Sequence, residues 1–379
     1  MTAWPIPLGS GATGWAPEPV TSDPYNAQTP AAALAEPVTP VAALFVRDHF
    51  GVPRMAPGSW RLHLGGAAAA PFTLGYADLL ALEQREFDVV MECAGNGRTL
   101  MTPRPPGLPW GQRAVGCTRV AGVPFVLLAV RARFDPRTVE IVFTGADSGT
   151  VHGRPAAFER SLPLDVALHP DTLLATHMNG EPLTPGHGAP VRLVVPGRYA
   201  VADVKWLVGA RAVTEPFTGF FQAEEYLYTD SRGTPDGPVT TVRVKSLITA
   251  PEPDADLRRG REVLVQGRAW SGGGVPVRRV VVRADYAGDA AAGADAGAPG
   301  GGAAAEGPGA GWHHARLEAP AGPYAWTAWS YRWTPVRPGP YRLLSRATDA
   351  RGDTQPAGAP WNARGYGCNP VARVDVVVV

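Results

Sequence analysis

The sequence predicts an α+β domain followed by an all-β, immunoglobulin-like sandwich domain, and three observations carry that prediction. Up to about residue 228, short apolar runs of strand length alternate with short helical stretches, without regular βαβ spacing. Beyond residue 238 only strand-length runs remain, several alternating apolar with polar, as in Trp326-Thr-Ala-Trp-Ser-Tyr-Arg-Trp333. The 379 residues include 45 glycines and 40 prolines, more than a fifth of the chain, and such dense punctuation favours strands and loops over long helices.

Residues 1–40 are rich in proline and alanine and lack periodicity, so they read as an extended arm laid on a domain. The first domain takes residues 41–236, with strands expected at 60–64, 87–91, 138–143 and 191–195 and a helix at 75–83. The polar patch Asp230-Ser-Arg-Gly-Thr-Pro-Asp-Gly-Pro238 marks the boundary. The second domain, 237–379, carries candidate strands at 242–248, 263–270, 277–284, 326–333, 341–348 and 371–379. Within it, residues 288–311 hold 10 alanines and 9 glycines, too little side chain to offset ordering, and read as a disordered loop between strands.

Composition excludes several classes. With 35 basic and 34 acidic side chains the formal charge is +1, which is not that of a nucleic-acid or anionic-membrane binder. The longest apolar run, residues 123–130, is far short of the ~20 residues that span a bilayer. The first fifteen residues show no basic region, apolar core or twin arginine, so the expected location is cytoplasmic. Cys93, Cys117 and Cys368 make neither a disulfide framework nor a zinc-type pair.

The densest chemical signal is Val89-Val-Met-Glu-Cys-Ala-Gly-Asn-Gly-Arg98. A hydrophobic strand ends at Cys93, and a tight turn and a guanidinium follow. Backbone N–H groups and a nearby cation bias a thiol towards thiolate, the form that ligates soft or high-valent metals. The local pattern leaves a second reading open, a buried structural cysteine. Cys117, in Gly116-Cys-Thr-Arg119, reads as core, and Cys368, near the C-terminal strand with no polar cluster, reads as structural or simply tolerated. A further concentration of polar donors lies at His187, Arg192 and Lys205, one of only two lysines in the chain, and a dianionic ligand would explain it.

These segments belong to a longer series. Phe45-Val-Arg-Asp-His-Phe-Gly-Val-Pro53, the Cys93 turn, Gly107-Leu-Pro-Trp110, Phe143-Thr-Gly-Ala-Asp147 and Ser161-Leu-Pro-Leu164 occur in that order. Met178-Asn-Gly-Glu-Pro-Leu183, His187-Gly-Ala-Pro-Val-Arg192, Val195-Pro-Gly197 and Val204-Lys-Trp206 follow, then Ala269-Trp-Ser-Gly-Gly-Gly274 and Trp361-Asn-Ala-Arg-Gly365. The series resembles the sulfite oxidase family of molybdopterin enzymes from about Leu44 to the C-terminus. The resemblance implies a molybdenum–molybdopterin cofactor whose metal is bound by Cys93. It implies cofactor contacts from Phe45, Arg47, His49, Asp147, His187, Arg192, Asp203, Val204 and Lys205. Asp147, an acceptor only, would take pterin N–H groups. The resemblance also implies an oxyanion pocket of Arg47, Arg98, Trp110, Tyr226 and, from the second domain, Arg364. Ordinary aromatic core is the other reading for both aromatic residues, standing level with the pocket role for Trp110 and behind it for Tyr226.

The implied activity is oxidation of sulfite to sulfate, with electrons leaving to a cytochrome or another external acceptor. No CxxCH occurs, so no haem is expected in this chain. The resemblance implies a homodimer paired through the second domain. Two other readings are reduction of a sulfoxide or nitrate at the same centre and a cofactor-free dimeric scaffold. Three departures bear on the substrate. Asp48 stands where the family has asparagine, Gly97 where vertebrate and plant forms have arginine, and Asn369-Pro-Val-Ala-Arg373 lacks a Trp-His pair.

Overall fold

The computed structural model describes residues 14–230, 232–287 and 311–379. The expected Ala/Gly loop therefore lies outside the described residues, apart from Gly311.

Two sheets build the first domain. One is ordered Glu181–Pro182, Leu173–Met178, Val115–Pro124, Arg85–Glu92, with Arg192–Val194 also paired to Leu173–Met178, all antiparallel. The other is ordered Phe72–Gly75, Arg61–Gly66, Leu207–Val213, Glu140–Val151, Arg154–Pro163; its one parallel pairing joins Leu207–Val213 to Arg61–Gly66. Val90, Val115, Val123 and Leu174 from the first sheet share one core with Leu62, Leu64, Phe143 and Leu207 from the second. Each such side chain contributes about 1.5–3 kcal/mol by leaving water.

Helix is scarcer than the sequence suggests. The longest α-helix, Phe125–Ala132, buries Phe125, Leu128, Ala129 and Ala132, the i, i+3, i+4, i+7 stripe of an amphipathic helix. Pro124 precedes it, and Arg133 ends it in the left-handed region, φ 51°. The helix expected at 75–83 shrinks to Tyr76–Leu80, where only Leu79 is buried; one anchored position does not extend a helix further. The strand expected at 138–143 instead runs through Glu140–Val151.

The N-terminal segment carries a hairpin rather than only an extended arm. Glu18–Ser22 pairs with Tyr25–Gln28, which pairs with Val46–Arg47. Farther along, Leu34 is buried in the core, and the Trp326 indole donates to the Pro37 carbonyl at 2.9 Å, so this segment touches both domains.

The second domain is two sheets around a separate core. Lys245–Ala250, Val263–Trp270, Thr327–Trp333 and Arg316–Leu317 form one; Asp256–Leu257, Ala372–Val378, Gly339–Asp349, Val277–Tyr286 and His313–His314 form the other. Strand Ala372–Val378 alternates buried and exposed at every residue, the period of a strand covered on one face. Val265 and Trp329 from the first sheet meet Val280, Leu343 and Val376 from the second. The boundary patch itself forms a small hairpin, Leu227–Thr229 with Pro235–Pro238.

Candidate active site

Strand Arg85–Glu92 delivers the chain into a tight turn. The Cys93 amide donates to Ala114 O at 2.9 Å, Asn96 N to Cys93 O at 2.9 Å, and Gly97 N to Gly111 O at 2.7 Å. Gly97 adopts φ 88°, and a Cβ there would come within 3.1 Å of the Cys368 sulfur. Cys368 thus packs against the turn.

Two cavities meet at this turn and share Arg47, Cys93 and Tyr226 as lining. The inner one is also lined by Phe45, His49, Asp147, His187, Arg192, Asp203 and Lys205. Of the residues expected to hold a cofactor, only Val204 is absent from this lining; its side chain is fully buried in the core. The outer cavity, about 250 Å³, is lined by Arg98, Trp110, Arg364 and Tyr366 together with His152 and Glu225.

Local structure aims the inner residues. The pairing of Glu140–Val151 with Arg154–Pro163 shifts register between Thr144 and Ser148, and this irregularity frees Asp147 from the ladder. Burial pushes the Asp147 carboxyl up to about 6 against the pull of Lys205, and its Oδ1 is buried without a partner. Arg192 donates to the carbonyls of His187 at 3.1 Å and Asp203 at 3.3 Å, while its Nε is buried and unpartnered. Burial raises Asp203 to about 7, although Arg192 and the Val195 N–H, which donates to Oδ1 at 2.8 Å, both favour the anion. Unpaired buried polar atoms are costly, and such atoms aimed into a cavity suit a ligand that completes them.

The expected cluster of cations is weaker than the sequence suggested. Burial, with the Arg192 and Lys205 charges, lowers His187 to about 3, so it is neutral, and its Nε2–H donates to Val41 O at 3.2 Å. Lys205 is ion-paired with Asp48 and donates to Gly186 O at 3.0 Å. The departure at Asp48 therefore places a counterion on the lysine. His49 is held well below its usual range by burial and then by Arg47, and shares a 2.7 Å hydrogen bond with the Tyr226 hydroxyl. Burial pushes Tyr226 up to about 12.

One expectation is overturned outright. Burial raises the Cys93 thiol above its ordinary value, outweighing Arg47, the Gly95 N–H and Arg98, which all favour the thiolate. Turn amides and guanidinium act as expected, but desolvation is the larger effect. Without a metal the residue is a thiol.

In the outer cavity the arginines are already engaged. Arg98 donates from Nε and Nη2 to Arg364 O at 3.1 and 3.0 Å, and from Nη1 to Leu108 O at 2.8 Å. Those bonds leave two of its five N–H groups free for a ligand. Arg364 pairs with Glu225 at 2.6 Å, and Glu225 also accepts the Tyr366 hydroxyl at 3.0 Å. Arg47 donates to Asn26 Oδ1 at 3.3 Å and to its neighbour's carbonyl. Trp110 is almost wholly buried, packed in one cluster with Cys93, Phe45 and Met91, so the core reading applies to most of its surface.

Sequence reasoning did not single out His152 or Glu225. His152 sits at the tip of the hairpin joining Glu140–Val151 to Arg154–Pro163, at φ 49°, with its ring edge-on to Phe220, 5.5 Å between centroids. Arg154 in the same hairpin pairs with Glu224 at 3.1 Å. The His152-Gly153 dipeptide between two strand-like runs was the available signal for a turn, though not for its position over the cavity.

Comparison with known proteins identifies the family. Residues 49–221 match the oxidoreductase molybdopterin binding domain, and residues 238–379 the Mo-co oxidoreductase dimerisation domain. The chain is 34% identical over 370 residues to sulfite oxidase of Gallus gallus, aligning 90% of this chain with 74% of that protein. It is 32% identical over 383 residues to mitochondrial sulfite oxidase of Rattus norvegicus, 94% of this chain but only 64% of the rat protein's length. Among solved structures, the sulfane dehydrogenase SoxCD of Paracoccus pantotrophus superposes with a TM-score of 0.76 at 26% identity, covering 92% of this chain and 83% of that one.

Proposed function

The chain belongs to the sulfite oxidase family of molybdopterin oxidoreductases, and on that premise we propose that it oxidises sulfite to sulfate where its two cavities meet. The observation that carries this reading is the shared lining at Cys93. On one side lies a cavity with unpartnered buried polar atoms, on the other a second chamber edged by arginines.

The donor set fits a molybdopterin. Asp147 Oδ1 suits pterin N–H groups, the unpartnered Arg192 Nε and the His187 ring, from residues lining the same cavity, would meet a polar tail, and Cys93 would supply a sulfur ligand. Val204 would act only through its backbone, since its side chain is in the core. Bound there, the molybdenum centre would supply oxygen-atom transfer and the accompanying two-electron chemistry.

The remaining work falls to the chain's own groups. Arg47 borders both cavities and would hold an oxyanion against the Cys93 side. Arg98, fixed by three carbonyl contacts, offers its two free N–H groups in a set orientation at no ordering cost. Tyr226 stays protonated at physiological pH, so it contributes a hydroxyl and no charge. Arg364 contributes to anion binding only in part, because Glu225 offsets its charge. Electrons would pass to an external acceptor, a cytochrome or another carrier. The second domain, an immunoglobulin-like sandwich in this reading, would pair two copies of the chain.

A second reading draws on Glu225. A carboxylate in the outer cavity suits a neutral oxygen donor such as a sulfoxide better than it suits a dianion. The two are separated by measuring sulfite-dependent reduction of an artificial acceptor against dye-driven reduction of methionine sulfoxide and nitrate. Sulfite turnover is expected; reduction of either acceptor without sulfite turnover would overturn the proposal.

A further inference from the structure

Beside the Cys93 turn lies a buried polar network that the proposed chemistry does not use. Glu92, the residue before the cysteine, is 1% exposed. Its Oε1 accepts the Asn96 amide at 2.9 Å and the Lys245 ammonium at 2.6 Å; its Oε2 accepts the Trp270 indole N–H at 2.8 Å. Lys245 and Trp270 belong to the second domain, on adjacent strands and directly opposite each other in register. That pairing presents two donors side by side to one carboxylate from the first domain.

The bond from Glu92 to Asn96 spans the three residues Cys93 to Gly95 and closes the turn. Asn96 Oδ1 in turn accepts the Ala114 N–H at 3.0 Å, while Ala114 O takes the Cys93 amide at 2.9 Å. The Glu92 carbonyl accepts Ala200 N at 2.8 Å, beside the inner cavity. The second domain touches the turn again where Gly367 N donates to Ala94 O at 2.9 Å.

A buried ion pair is a poor source of net stability, because desolvating both charges offsets most of their attraction. Its value lies in geometry. We propose that Glu92 and Lys245 are positioning residues that set the Cys93 sulfur through a clamp from the second domain. The ligand turn is then correctly placed only when both domains are docked. The importance of this placement for catalysis rests on Cys93 being the metal ligand, as proposed above; the clamp itself does not.

The test compares the full chain as wild type, Lys245→Met, Lys245→Arg and the double variant Glu92→Gln/Lys245→Met. Each is purified free of cofactor, and hydrogen exchange is followed at the amides of Cys93, Asn96 and Gly97. The buried strand 117–124 serves as internal reference. Lys245→Met leaves a lone buried carboxylate, and exchange in the turn should rise about tenfold, the effect of ~1.4 kcal/mol of lost local stability, with the reference strand unchanged. The double variant removes the lone charge without restoring the cross-domain bond, so its turn should exchange at an intermediate rate. Lys245→Arg keeps charge and donor and should return to the wild-type rate.

Unchanged exchange in Lys245→Met, or turn and reference strand rising together, would overturn the clamp. Should Lys245→Met not fold, the comparison passes to the other two: faster turn exchange in the double variant than in Lys245→Arg supports the clamp, and equal rates overturn it. In cofactor-loaded protein, Lys245→Met should lower kcat for sulfite more than it changes KM, and Lys245→Arg should restore it. A wild-type chain that takes up no molybdenum yet shows the expected exchange order would defeat the functional reading and leave the clamp standing.

Discussion

Burial is the strongest influence on single residues of the site. Asp203 shows it most simply. Its carboxyl is raised to about 7, so between the ordinary carboxylate range and neutral pH the folded chain holds a proton that the unfolded chain has released. Asp203 therefore contributes stability at acid pH that is lost as pH rises through 7. In cofactor-free protein, Asp203→Asn should raise stability by ~2 kcal/mol at pH 8 and leave it nearly unchanged at pH 4. Denaturant unfolding at the two pH values checks this, and equal effects would contradict it. Glu225 carries a second prediction at this scale. It ties up the Arg364 guanidinium, so Glu225→Gln should free that cation and lower KM for sulfite by roughly three- to tenfold with little change in kcat. A rise in KM would show that Glu225 orders Arg364 for the anion rather than competing with it.

At the scale of elements, the site is made where regular structure breaks. A register shift turns Asp147 out of a long strand, a strand end sets Cys93 in the wall of both cavities, and a hairpin tip brings His152 to the outer cavity. Gly97 is the point of least tolerance in the ligand turn. Its φ of 88° disfavours any side chain, and a methyl group would press on the Cys368 sulfur at 3.1 Å. Gly97→Ala should therefore cost about 1–3 kcal/mol, read from the denaturant midpoint, where a surface glycine change would cost much less. The departure from arginine at residue 97 therefore also bears on the backbone, because a side chain there requires the Cys368 sulfur to give way.

For the whole molecule, the residues expected from sequence, apart from Val204, fall into two adjoining cavities, and the outer one draws Arg364 from the second domain. That grouping was legible because the motifs carry side chains with few other uses, such as a strand-terminal cysteine followed by Gly-Asn-Gly. The strands of the second domain were legible for another reason, since alternation reports directly which face is covered. What stayed hidden depends on distance along the chain. Glu225 and His152 lie far apart in sequence and line one cavity where the hairpin packs on the segment around Phe220, with Arg154 paired to Glu224. The Glu92–Lys245 pair is likewise invisible until the domains dock. The thiolate expectation failed because local charge can be read from neighbours, whereas burial cannot.

The central claim is that the Cys93 sulfur binds molybdenum at the junction of the two cavities. X-ray absorption at the molybdenum edge of the loaded chain tests it most directly, comparing wild type with Cys93→Ser. The account predicts that the variant retains its pterin, shows one sulfur neighbour fewer around the metal and loses turnover. An unchanged sulfur count in Cys93→Ser, with activity preserved, would contradict it.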